Sequence, residues 1–388
     1  MADSIDKSVT DTKTTVEIPG AEEIIQDQQE KIEKVQSDGG PVEIEMDDQG
    51  GAEISFDPNA VTPEGGEEHF SNLAEFLDDG LLTELATTLS DKYTSYKESR
   101  ADWEDSYREG LDLLGFKYQR RTQPFRGASS VTHPVLAEAV AQFQATAYKE
   151  LLPADGPVRS QILGAVTPAK QDQANRVKDF MNYQLMDQMK EYEPEFDQML
   201  FYLPLAGSTF KKVYYDDLLG RAVSKFVHSD DLVVPYSATS LEDAEAVVHV
   251  IKMSENELRK QQVSGFYKDI DLGEPPVVEN QLTEKKQELE GITQNGQEDM
   301  YTLLEFHIDL DLEGYEDVNP EDGEPTGIKV PYIVTVDTAN TEILSIRRNY
   351  QAEDPLKKKI NYFVQFKFLP GTGFYGFGLI HMIGGLTR

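Results

Sequence analysis

"EPEFDQMLFYLPLAGSTFKKVYYDD", residues 193–217, changes its hydrophobic period half-way along. The first half reads as a helix over about 193–206 that ends or kinks at Pro204. From Ser208 the β-branched and aromatic residues take over. "RAVSKFVHS", residues 221–229, repeats that character after the turn residues "DDLLG". The pair therefore reads as two strands around a turn. On one side of this switch the chain reads as helices, and on the other mainly as strands.

Upstream, Leu82, Leu85, Leu89, Tyr93, Tyr96, Trp103, Tyr107, Leu111 and Leu114 form one amphipathic stripe, predicting one long helix or two nearly collinear ones that stop at Gly115. "KYQRRTQPFRGASSVTHP" is a basic, turn-rich loop in which Lys117, Arg120, Arg121 and Arg126 stand out. It reads either as a salt-bridging surface or as a contact with DNA or an acidic neighbour. Pro134 opens a helix carrying Val135, Val140, Phe143, Ala147 and Leu151. Another starts at Thr167-Pro168 and runs towards Lys190. It is expected to bury Val177, Phe180, Met181, Leu185 and Met189, its methionines filling gaps in a core.

Downstream, "AEAVVHVIKM" predicts a strand covered on both sides. Ser254 with Glu257 makes a capping box for a short helix that Gly265 ends. Residues 275–300 form a polar, acidic connection with an exposed helix around "TEKKQELEG". From Tyr301, "YTLLEFHIDLDL", "IKVPYIVTVD", "TEILSIRRNY" and "KINYFVQFKFLP" read as strands. The fold class is α+β with segregated elements.

The 388 residues carry 36 Lys+Arg against 71 Asp+Glu, a net charge of −35. A field of that sign repels nucleic acid and argues against a sequence-specific DNA reader. Cysteine is absent, which excludes disulfides and thiolate metal sites. No run approaches the length of a spanning helix, and the N-terminus lacks an apolar signal core. Residues 1–68 hold 19 acidic and four basic residues with isolated apolar ones, so they read as a disordered acidic arm.

Candidate chemistry is thin. Gly371-x-Gly373-x-x-Gly376 has the spacing of a nucleotide-binding loop, but Phe374 and Tyr375 are bulky where a pyrophosphate must approach. No βαβ unit surrounds it either. Asp309, Asp311 and Glu313 begin like a calcium loop, yet the twelfth position is Pro320, so they read as an exposed acidic strand face. Six scattered histidines show no zinc spacing. His228 beside Asp230 and Asp231 suggests a dyad without a nucleophile. The reading is non-enzymatic, with no catalytic, cofactor or metal residues.

Taken in order, "FRGASSVTHPVLAEAVAQFQATAYKELLP", "GSTFKKVYYDD", "SDDLVVPYSATSLEDAEAVVHVIKMSENELRKQQVSGFY", "LEFHIDLDLEG", "PYIVTVD" with "EILSIRRNY", and "FLPGTGFYGFGLIHMIGGLTR" resemble the portal proteins of tailed, short-tailed bacteriophages from about Trp103 onward. After the acidic arm at 1–68, which the family does not require, that resemblance implies a wing of helices and a hairpin at 69–250, and the helix leading into a stem with an acidic linker at 251–300. A strand-rich clip follows at 301–370, then a glycine turn and the start of a second stem helix at 371–388. It implies a homo-oligomeric ring, a dodecamer, at the unique capsid vertex of a virion assembled in the host bacterial cytoplasm. Viral double-stranded DNA would be packaged and ejected through it without sequence-specific contact. Implied partners are the terminase motor, major capsid and scaffolding proteins, the head–tail adaptor and tail proteins, with no membrane and no cofactor. Lys252, Arg259, Lys260, Lys268, Arg120, Arg121 and Arg126 are candidate DNA-channel or intersubunit contacts. Gly371, Gly373, Gly376 and Gly378 are expected to let the backbone turn tightly, with Phe374 and Tyr375 as apolar anchors. A family member continues past Arg388, so the chain is read as an N-terminal fragment. The alternative reading is a head–tail adaptor or minor capsid protein.

Overall fold

A computed structural model describes residues 43–46, 52–55, 69–114, 125, 134–216, 219–275, 285–286, 289, 300–318, 324–371 and 373–387. The chain divides into two units, Met1–Ser71 and Asn72–Arg388. In the first, β1 (Glu43–Met46) pairs antiparallel with β2 (Ala52–Ser55). This hairpin follows the local alternation of polar and apolar residues in "EIEM" and "AEIS". Most of the expected acidic arm lies outside the described residues.

The second unit is mixed α+β, with seven α-helices and two antiparallel sheets among the described residues. The apolar stripe of the first helices is broken at Arg100 into α1 (Asp79–Ser99) and α2 (Ala101–Leu113). The break sends one stripe into two cores. Leu82, Ala86 and Leu89 pack on a sheet, while Tyr107 and Leu111 join a helical cluster. That cluster also holds Leu136 and Val140 of α3 (Val135–Leu151) and Leu205 and Ala206 of α5 (Tyr192–Ala206). Between them runs α4 (Pro168–Tyr183), capped by Thr167, whose hydroxyl accepts from the Lys170 amide at 3.3 Å. A π-helical turn over Gln184–Gln188 follows it.

Helix α5 runs through Pro204 and stops at Gly207, where φ of +85° admits glycine and penalises a side chain. There the period changes. β3 (Ser208–Asp216) pairs with β4 (Arg221–Val227) as a hairpin, and β10 (Phe363–Lys367) adds to the other side of β3. The larger sheet has the order β5–β6–β7–β8–β9, from β5 (Leu232–Val233), β6 (Ala246–Ser254), β7 (Met300–Leu310), β8 (Val330–Asp337) and β9 (Glu342–Arg348). Its β6–β7 pairing and the β3–β10 pairing join strands on either side of the expected boundaries at 250 and 300.

Alternation along the strands makes these elements layers. Val248, Leu304, Phe306 and Tyr332 face α1 on one side of the large sheet, while Val247 on the other side packs with Phe210 and Phe363 of the small sheet. The far side of the small sheet is covered by Phe196, Met199 and Leu200 of α5, against Phe226 and Phe366. The order is helix, sheet, sheet, helix, each interface burying one apolar face. The short helix α6 (Glu255–Val263) starts at Ser254, whose hydroxyl accepts from the Glu257 amide at 3.4 Å, and packs Leu258 against Tyr301 and Leu303. Helix α7 (Leu379–Thr387) follows the glycine turn.

Candidate functional site

The glycine turn is built against the α5–β3 junction. A Cβ on Gly376 would lie 2.5 Å from the Gly207 carbonyl oxygen and 2.8 Å from that of Leu369. On Gly378 it would strike the Leu205 carbonyl and come within 2.8 Å of the Gly207 nitrogen. On Gly371 it would meet the Tyr375 carbonyl at 2.7 Å, whereas at Gly373 the space is open. None of the four has a positive φ, so close backbone approach is what three of them serve. Three amides at the end of the turn have protein acceptors. Gly376 N donates to Ser208 Oγ at 2.7 Å, Phe377 N to the Leu369 carbonyl at 2.8 Å, and Gly378 N to His381 Nδ1 at 3.1 Å.

The two aromatic residues of the turn differ in their surroundings. Phe374 is buried and stacks on Phe210 with centroids 5.7 Å apart. Tyr375 lies in a polar hub, stacked on Trp103 at 4.7 Å, its hydroxyl donating to the Leu232 carbonyl at 3.0 Å and accepting from Arg100 Nη1 at 2.9 Å. Arg100 is buried and also donates to the carbonyls of Ser229 and Leu232 at 3.0 and 2.8 Å, and to Glu104 at 2.8 Å. The α1–α2 break thus holds the 229–232 turn and the glycine turn together.

Next to this hub the His228–Asp230 grouping takes a form that the sequence does not disclose. Asp230 accepts from Lys286 Nζ at 2.9 and 3.1 Å, and Lys286 outweighs burial to hold its carboxyl below the usual range. Burial and then the Asp230 charge push Asp231 up to about 7, while burial and then Lys286 bring His228 down to about 4. A second buried grouping lies between the sheets. The β6–β7 register sets His249 opposite Glu305, with His307 two residues on. Glu305 accepts from Lys212 Nζ of the other sheet at 2.6 and 2.7 Å, and its Oε1 lies 2.8 Å from His307 Nε2. Lys212 and the histidines outweigh burial to keep Glu305 well below its usual range. A cavity of about 20 Å³ beside His307, Lys359 and Tyr362 has room for about one water and for no substrate. Asp309, Asp311 and Glu313 are all exposed.

Among the described residues the basic candidates differ in their pairing. Arg259 pairs with Asp269, and Lys268 Nζ lies 3.2 Å from Asp79. Lys252 and Lys260 are exposed, on β6 and α6. Arg120, Arg121 and Arg126 lie outside the described residues, as does Lys117.

The surface that departs most from the sequence reading is α4. Val177, Phe180 and Met181, expected in a core, are exposed, with 59% of Phe180 open to solvent. Leu163 and Val166 ahead of the helix are exposed as well. No residue of α4 is buried. The segment is held at its base by Asn182, which accepts from the Val158 amide at 2.9 Å and donates to the Val158 carbonyl at 3.3 Å. An amphipathic stripe states that one face is apolar and leaves open what covers it. Among the described residues nothing in this chain does. No family model matches this chain, and no curated protein matches it.

Proposed function

We propose that this chain is a subunit of a portal-type ring at the unique vertex of a tailed-phage capsid, serving as a passive conduit for viral DNA and as a docking site for terminase and tail. The single observation that carries the reading is α4, a capped helix that leaves Val177, Phe180 and Met181 exposed while the layers around it are closely packed. Exposed apolar clusters of this kind mark interaction sites, and a ring needs a surface that joins head to tail. The net charge of −35 suits a channel wall past which a polyanion slides without adhering. Lys252 and Lys260 then offer sparse, salt-sensitive contacts, whereas Arg259 and Lys268 hold Asp269 and Asp79 within the subunit. The role is structural and involves no reaction.

Mass photometry and negative-stain microscopy of the full-length gene product test this. Closed rings of one stoichiometry are expected, and monomers alone across micromolar concentrations would sink the reading.

A further inference from the structure

We infer that residues 151–190 are a docking arm whose α4 stripe covers the open end of the small sheet in a second copy of this chain. The inference rests on the ring reading and adds the pair of surfaces that join.

The receiving face is visible in the layers. On the α5 side of the small sheet the residues of β3 are Thr209, Lys211, Val213 and Tyr215, with Val364 of β10 opposite Lys211 and Ala222 of β4 opposite Tyr215. Helix α5 covers only the first part of this face. Tyr192 and Phe196 sit over the Lys211 ammonium, at 4.2 and 5.1 Å from the ring centroids, and Glu191 at the start of the helix reaches Ser224 and Arg221 of β4 but leaves the end of β3 open. Beyond it Val213, Tyr215 and Val364 are exposed, Tyr215 by 62%. The sheet therefore presents an apolar strip that continues a face already roofed by a helix, and one further helix would complete the layer.

The arm supplies such a helix in both shape and charge. Its apolar side chains Val177, Phe180 and Met181 follow at helical spacing, the pattern of a helix laid on an apolar face. Residues 151–190 carry five basic and four acidic side chains, while the rest of residues 69–388 carries 27 basic and 48 acidic. A near-neutral, slightly basic arm is matched to an acidic body, and the body at hand is another copy of the same chain. Because arm and receiving strip are different surfaces, the contact is heterologous and propagates around a ring.

The absence of cysteine makes the test direct. Phe180→Cys and Tyr215→Cys are introduced singly and together into the full chain, oxidised mildly, and resolved on non-reducing gels beside mass photometry of the unmodified protein. The double variant should give a ladder of dimers, trimers and higher species. The two single variants mixed should give a dimer and nothing larger, and neither alone should cross-link. A dimer from Phe180→Cys alone would mean helix-on-helix pairing and overturn the inference. Oligomers by mass photometry without any cross-link would overturn these surfaces while leaving the ring reading intact. Monomers throughout would overturn both.

Discussion

Gly378 and Gly373 lie five residues apart in the same turn, and the structure asks different things of them. A methyl on Gly378 meets backbone on two sides, which cannot yield as a flexible side chain would, whereas Gly373 faces open space. Gly378→Ala should therefore cost about 1–3 kcal/mol in urea unfolding, with Gly373→Ala within about 0.5 kcal/mol of the parent. Asp231 makes a second residue-scale case. Its ordinary value is 3.8, and in the folded chain burial and Asp230 raise it to about 7. The folded state binds the extra proton between those values, so this group's contribution to stability is full below about pH 4 and falls as pH rises to 7. Asp231→Asn keeps a neutral side chain there. Its urea midpoint should gain on the parent's through that window, by on the order of 2–4 kcal/mol in total, and the gap should be flat above pH 8. A gap independent of pH would count against the assignment.

At the scale of elements, the outer edge of β9 shows how one side chain can close a sheet. Asn72 is buried and donates to the Leu344 carbonyl at 3.0 Å, while its Oδ1 accepts from the amides of Ile346 at 3.0 Å and Ala74 at 3.1 Å. It thereby caps the single 3₁₀ turn at Leu73–Glu75 and pairs edge groups that would otherwise be open to another strand. Asn72→Ala leaves buried donors and an acceptor unmet, and should cost about 2–4 kcal/mol by thermal or urea unfolding, with a greater tendency to aggregate on partial unfolding. Two elements with the same sequence pattern part company here. The stripes of α1 and α4 are both apolar at helical spacing, yet Leu82 and Leu89 are covered by a sheet and Val177 and Phe180 are open.

For the whole molecule, the acidic balance and the layer order act together. The body carries charge of one sign while the arm is nearly neutral, so in the assembly proposed above copies that repel in general would meet at one surface. The two buried ionic groupings lock layers to each other. Lys212 to Glu305 joins the two sheets, and Lys286 to Asp230 ties the segment before β7 to the turn before β5. Each ammonium compensates a carboxylate that would be costly alone, and the cavity beside the first grouping measures only about 20 Å³.

The kinds and order of the elements are legible in the chain, because a period of 3.6 or 2 is a local property. The switch at Gly207, the hairpin from Ser208, the Ser254 cap and the strands after Tyr301 could be read directly. The absence of thiol and disulfide chemistry and the sign of the field could be read there too. Packing set the pairing of β6 with β7 and of β10 with β3, across segments far apart in the chain. Cross-strand register then brought His249, Glu305 and His307 to one point, although no spacing in the sequence links them. It likewise decided that Phe180 faces water. Periodicity fixes which side of a helix is apolar, but whether that side is covered depends on where distant elements come to rest.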